Sequence, residues 1–117
     1  MKERDVTDDI NEVLRAHKPL VSWYRPVPSV YGQRFVDYVG VSCGYYWIIE
    51  AKRPGKDATD AQYIRAKEIE AAGGAAFVIN SPTDVIRFER WLTKNEAKYI
   101  VRSDWPTIPF RHIKVIR

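Results

Sequence analysis

The sequence is poor in residues that build covalent or metal-clamped scaffolds. Among its 117 residues there is one cysteine, Cys43, and there are two histidines, His17 and His112. A lone cysteine excludes an internal disulfide and a cysteine-based zinc site. The histidines stand too far apart in sequence to argue for a zinc site or a catalytic histidine. No apolar run approaches the roughly 18 residues of a membrane span. The first residues, Met1-Lys2-Glu3-Arg4-Asp5, are too polar for a secretory signal. These absences lead us to expect a cytoplasmic chain with no membrane partner. With no internal repeat, low-complexity segment or linker, residues 1–117 read as a single domain around one core.

Apolar residues make up 45% of the chain and charged residues 29%, a balance that suits a globular protein and not a disordered one. The net charge of +4 favours a polyanionic partner. Lys52, Arg53 and Lys56 form one basic cluster, and Arg111, His112, Lys114 and Arg117 form another at the C-terminus. A charge run is often only a solvated surface, and that reading stands open for the tail.

Hydrophobic periodicity orders the elements. Val6, Ile10, Val13 and Leu14 recur at helical spacing and predict a helix over about residues 3–17, stopped by Pro19. Glu3 stands two helical turns before Ile10 and so points toward the buried side, whereas Glu12 points to solvent. Val21 to Arg25 reads as a short strand, followed by a loop punctuated by Pro26, Pro28 and Gly32. Phe35 to Val41 and Tyr45 to Ala51 are rich in aromatic and β-branched residues and predict a hairpin around Ser42-Cys43-Gly44. Thr59 and Gln62 fit a capping box for a helix from Thr59 to Ala72, closed by Gly73-Gly74. Ala75 to Asn80 has strand length, and the intervening helix makes it a parallel neighbour of the strand carrying Glu50. Ser81 and Pro82 start a second C-terminal-half helix, with Val85, Ile86, Phe88, Trp91 and Leu92 inward and an end near Thr93. Residues 98–117 alternate enough to suggest one or two edge strands.

The chemistry concentrates between Asp37 and Lys52. Glu50 and Lys52 share a strand face, roughly 7 Å apart, while Ala51 points the other way. Two carboxylates can hold a hard divalent cation, and a lysine beside them can orient a water, which is the equipment of phosphodiester hydrolysis. Hairpin register decides whether Asp37 joins them. A two-residue turn at Cys43-Gly44, or a four-residue loop, sets Asp37 opposite Glu50; a three-residue loop turns it to the wrong face. The plain alternative is that Lys52 merely pairs with Glu50 at a sheet edge.

Taken together, Asp37, the run Ile49-Glu50-Ala51-Lys52-Arg53-Pro54-Gly55, Gln62, and Ala71-Ala72-Gly73-Gly74-Ala75-Ala76-Phe77-Val78-Ile79 resemble the PD-(D/E)XK nuclease superfamily. Within it, the chain is similar to the small virus-type replication-repair nuclease domains found in phages, over nearly everything from the first helix to about residue 92. Val36 stands where that family often has proline, a position that supplies no ligand.

The resemblance implies a restriction-endonuclease-like α/β fold, a central mixed β-sheet flanked by helices in the order α-β-β-β-α-β. The core spans about residues 3–92, with a C-terminal extension over 93–117. It implies that Asp37, Glu50 and the Ala51 carbonyl bind Mg²⁺ or Mn²⁺, joined by Glu3 from the first helix, and that Lys52 positions the attacking water. Gln62 matches a glutamine that aligns the lysine or the water. Its other reading is the capping box, and one side chain serves both only by swinging between them. Glu3 has its own plain reading as a solvated acid near a helix N-terminus.

The implied reaction is metal-dependent cleavage of DNA that leaves 5′-phosphate and 3′-hydroxyl ends. So small a domain has little room for base readout and is expected to select branched, flapped or nicked DNA. Junction-cutting relatives suggest a homodimer, because paired incisions need two active sites. Arg25 and Arg34 flank the site, and Arg53 and Lys56 follow it, as candidate phosphate contacts. Trp23, Tyr24, Tyr45, Tyr46 and Trp47 can stack on unpaired bases, although aromatics on strands more often pack against one another. Two rivals remain: an inactive DNA-binding module of the same fold, and a small phage protein that inhibits a host enzyme.

Overall fold

Val6, Ile10 and Leu14 recur every four residues, which lines them along one side of helix α1 (Glu3–Ala16). All three are fully buried, and Val13 packs beside them. The computed structural model describes residues 3–27 and 36–99, with side chains from residue 6 onward. After α1 come strands β1 (Val21–Tyr24), β2 (Tyr38–Ser42) and β3 (Tyr45–Ala51), helix α2 (Asp60–Ala71), strand β4 (Ala75–Ile79) and helix α3 (Pro82–Tyr99). The strands form one four-stranded sheet in the order β1-β2-β3-β4. β1, β2 and β3 pair antiparallel, while β4 runs parallel to β3 because α2 carries the chain back. The protein is therefore α/β, a mixed sheet flanked by helices in the expected order, with the expected helix from Pro82 as α3. Among the described residues, no helix is long and apolar enough to cross a membrane.

Alternation along β3 divides the molecule. Trp47, Ile49 and Ala51 face a core shared with α1 and α3, so Ile48 and Glu50 turn to the opposite face, on the side of α2. On the core side Trp47, Phe77, Phe88 and Trp91 interlock edge to face, with ring centroids 5.2 Å apart for Trp47–Phe88 and 5.0 Å for Phe77–Phe88. Gly40 stands opposite Trp47 in the β2–β3 ladder, and the indole lies across it. A Cβ at Gly40 would collide with that ring and with the Ser22 carbonyl, so only glycine fits.

The β2–β3 hairpin closes through Cys43 (φ 51°) and Gly44 (φ 88°), with Ser42 paired to Tyr45. Two positive φ angles make this the tight primed turn whose twist matches the flanking strands. The loop is thus the two-residue form that sets Asp37 opposite Glu50. The capping box at α2 is also present: the Gln62 N–H donates to Thr59 Oγ1 at 3.2 Å, and the Thr59 N–H donates to Gln62 Oε1 at 2.9 Å.

Helix α3 departs from expectation in two ways. Ile86 is 51% exposed and does not point inward; the buried positions are Val85, Phe88, Leu92 and Asn95. Nor does the helix end near Thr93. It continues to Tyr99, so Lys98 and Tyr99 are helical and do not begin an edge strand, while 100–117 lie outside the described residues. The extra turns are held by His17, just past α1. Its Nδ1 meets Glu96 Oε2 at 2.7 Å and its Nε2 meets Glu89 Oε2 at 3.0 Å. Burial alone would lower the His17 pKa, but the two carboxylates outweigh it and the net shift is upward. Polar residues make this contact, which is why an apolar stripe did not announce it.

Candidate functional site

Asp37 sits one residue before β2, and continuing the Tyr38–Ile49 register sets it opposite Glu50. At that point the ladder gives way to a side chain. The Asp37 N–H donates to the Ile49 carbonyl at 3.0 Å, and the Ala51 N–H donates to Asp37 Oδ2 at 2.7 Å. The carboxylate is thereby fixed against β3 by a short, charge-assisted bond. In a strand the N–H and C=O of one residue share an edge, so the Ala51 carbonyl lies on the Asp37 side. The next N–H, from Lys52, donates the other way, to the Ile79 carbonyl of β4 at 2.8 Å.

Asp37, Glu50 and Lys52 line one cleft of about 870 Å³ together with Gln62. Gln62 joins the site through its free amide end, because Nε2 donates to Glu50 Oε2 at 3.1 Å while Oε1 caps the helix. The cap and the contact with Glu50 are made together, without a swing, and the contact is with Glu50 where alignment of Lys52 or a water was expected. A primary amide carries a donor and an acceptor at opposite ends, and here both are engaged at once.

Glu50 is pushed up to about 7 from a usual value near 4.5. Burial is the main cause, the Asp37 charge adds to it, and the Lys52 ammonium only partly opposes them; a hydrogen bond with Asp37 also favours the protonated form. The native state therefore holds a proton that the unfolded chain has released between those two values. Stability should fall as pH rises from about 4.5 to about 7. Thermal melts in EDTA across that range should show the decline for the wild type, and a Glu50→Gln variant should flatten it.

A carboxylate pair that retains a proton near neutrality is short of positive charge, and its oxygen donors suit a hard divalent cation. The residues present fit such an ion: Asp37, Glu50 and the Ala51 carbonyl. Among the described residues no group of three or more His, Cys, Asp or Glu side chains is gathered for a metal. The acid expected from the first helix, Glu3, has its side chain outside the described residues.

The candidate DNA contacts fall in different places. Arg53 and Lys56 are exposed on a turn closed by the Lys56 N–H to the Arg53 carbonyl at 3.0 Å, with Gly55 at φ 81°. That turn is tied to the end of β4 by Asn80 Nδ2, which donates to the Lys56 carbonyl at 2.9 Å. Arg25 is not in the cleft: its guanidinium lies over the Tyr38 ring, 4.7 Å from the centroid, and Tyr38 belongs to the core face. Arg34 and His112 lie outside the described residues. Sequence reasoning missed Arg65, which lines the cleft from α2. Its spacing three residues beyond Gln62 puts both on one helix face, and that was the available signal. Of the aromatics, Trp47 is fully buried, Tyr45 packs edge to face with Trp91, and Tyr24 and Tyr46 line the cleft. No protein-family model matches the chain, and no curated protein matches it.

Proposed function

We propose that this chain is a metal-dependent DNA endonuclease with a restriction-endonuclease-like core, acting on branched, flapped or nicked DNA. The observation that carries the reading is convergence. Asp37 before β2, Glu50 and Lys52 at the end of β3, and Gln62 on α2 meet at one end of a cleft open to solvent. Separate elements bringing two acids, a lysine and an amide together on a half-buried surface would be costly without a role, since unpaired charge is expensive there. The resemblance described above supplies the reaction class.

Asp37, Glu50 and the Ala51 carbonyl would hold Mg²⁺ or Mn²⁺, with Glu3 as a further candidate ligand. The ion would lower the pKa of a bound water and neutralise charge on the scissile phosphate. Lys52 contributes a fixed positive charge where negative charge develops on the phosphate. Gln62 holds the Glu50 carboxylate in place through Nε2. The products are 5′-phosphate and 3′-hydroxyl ends, and paired cuts across a junction would require a homodimer. The net charge of +4 supports a polyanionic substrate.

The test is incubation of the purified protein with supercoiled plasmid and branched oligonucleotides in Mg²⁺, Mn²⁺ or EDTA. Cleavage is expected with either metal and none in EDTA. Salt-sensitive DNA binding with no cutting under any condition would refute the enzyme and leave the inactive binding module.

A further inference from the structure

The sheet face that carries the acid pair is covered only in part. Among the described residues helix α2 packs over β3 and β4, leaving the β1–β2 side of that face open. Two aromatic side chains on that face remain exposed, Tyr24 of β1 at 62% and Tyr46 of β3 at 48%, with Ser22 and Val41 further along it. They are not scattered. The strand register puts Tyr24 opposite Val39 and Val39 opposite Ile48, one row below the Asp37–Glu50 pair, and Tyr46 lies one row further, beside Val41. Each row is about 7 Å along the strands. Half-buried Val39 and buried Ile48 therefore form a floor that runs away from the carboxylates, with Tyr24 and Tyr46 at its margins, and these four line the same cleft.

A paired duplex offers phosphates and sugars to such a surface, with its base faces sealed in the stack. An unpaired strand offers base faces, which stack on aromatic rings whatever the sequence. The opposite wall carries Arg65, exposed on α2, and the site end carries Lys52, so the apolar floor is flanked by cations suited to a phosphate backbone. The volume, about 870 Å³, matches a pocket for a small ligand or a few nucleotides more closely than a seat for a double helix.

We infer that the cleft binds an unpaired DNA segment adjoining the scissile phosphate, with Tyr24 and Tyr46 stacking on its bases and Arg65 contacting its backbone. The inference rests on the nuclease reading only for the word scissile; the binding itself stands apart. The substrate selected is then one with single-stranded character next to the cut.

The test separates the two. Fluorescence anisotropy in EDTA compares a labelled single-stranded oligonucleotide with a blunt duplex of the same length, for wild type, Tyr24→Leu, Tyr46→Leu and Tyr24→Phe. The wild type should prefer the single strand. Each leucine variant should weaken that binding by about fivefold or more, the lower end of what loss of one stacked base produces. Duplex binding should change little, and Tyr24→Phe should restore the single-strand affinity. Equal affinity for the two DNAs, or leucine variants that bind the single strand like the wild type, would overturn the inference. Tyrosine-dependent single-strand binding without cutting in Mg²⁺ or Mn²⁺ upholds it while refuting the nuclease. Metal-dependent cutting with no single-strand preference does the reverse.

Discussion

Asp37→Ala should abolish metal-dependent cleavage while the protein stays folded. Asp37 and Glu50 are the two carboxylates that line the cleft among the described residues, and Glu50 alone holds a divalent ion poorly. Losing several kcal/mol of charge stabilisation corresponds to a rate decrease of about 10³-fold or more. The structural cost is smaller. The hydrogen bond from the Ala51 N–H at 2.7 Å disappears and leaves a donor unsatisfied, which costs about 1–3 kcal/mol; the hydrogen bond between Asp37 and Glu50 goes with it. Asp37→Asn separates the two effects, because its amide oxygen can still accept from Ala51 while the charge is gone. Plasmid-nicking rates in Mg²⁺ beside melting temperatures read both. A freely cutting Asp37→Asn protein would remove Asp37 from the chemistry.

The second large effect concerns the fold. Trp47→Ala should destabilise the protein by about 3–5 kcal/mol, the range for truncating a large core aromatic. Trp47 is fully buried, meets Phe88 edge to face at 5.2 Å, and covers Gly40 so closely that no other residue fits beneath it. Local collapse cannot refill such a hole, because the backbones of β2 and β3 form its floor. Total stabilities run about 5–15 kcal/mol, so this one change should consume a large part of the margin. The indole N–H finds no hydrogen-bond partner among the described residues. Trp47→Phe loses that unsatisfied donor along with some volume and should cost much less. Urea unfolding of both variants against wild type checks the pair, and equal midpoints for alanine and wild type would refute the packing argument.

Much of this architecture is legible in the sequence. Apolar spacing located α1, the capping residues Thr59 and Gln62 located α2, and strand alternation located Glu50 and Lys52 on one face. The hairpin register stayed open in the sequence between even and odd loops, and the structure closes it with the two-residue turn Cys43-Gly44. What escaped depended on contacts between distant elements. The end of α3 is held by His17 against Glu89 and Glu96, residues more than 70 positions apart in sequence. Arg25 was expected to flank the site, and its guanidinium lies over Tyr38, because a strand-end side chain takes its face from its cross-strand neighbour. The double engagement of Gln62 was hidden because a sequence pattern names a residue and not the two ends of its side chain. Tyr24 and Tyr46 differ from Trp47 only in which face is covered, and that is decided by where α2 lands.

The hairpin tip carries an evolutionary consequence. In descendants of this chain, insertions or deletions between Ser42 and Tyr45 should survive in pairs, since an odd change would rotate the whole N-terminal strand and carry the aspartate into oil. A lineage that fixed a single-residue insertion there would have to add a compensating bulge upstream or lose the pairing of Asp37 with Glu50.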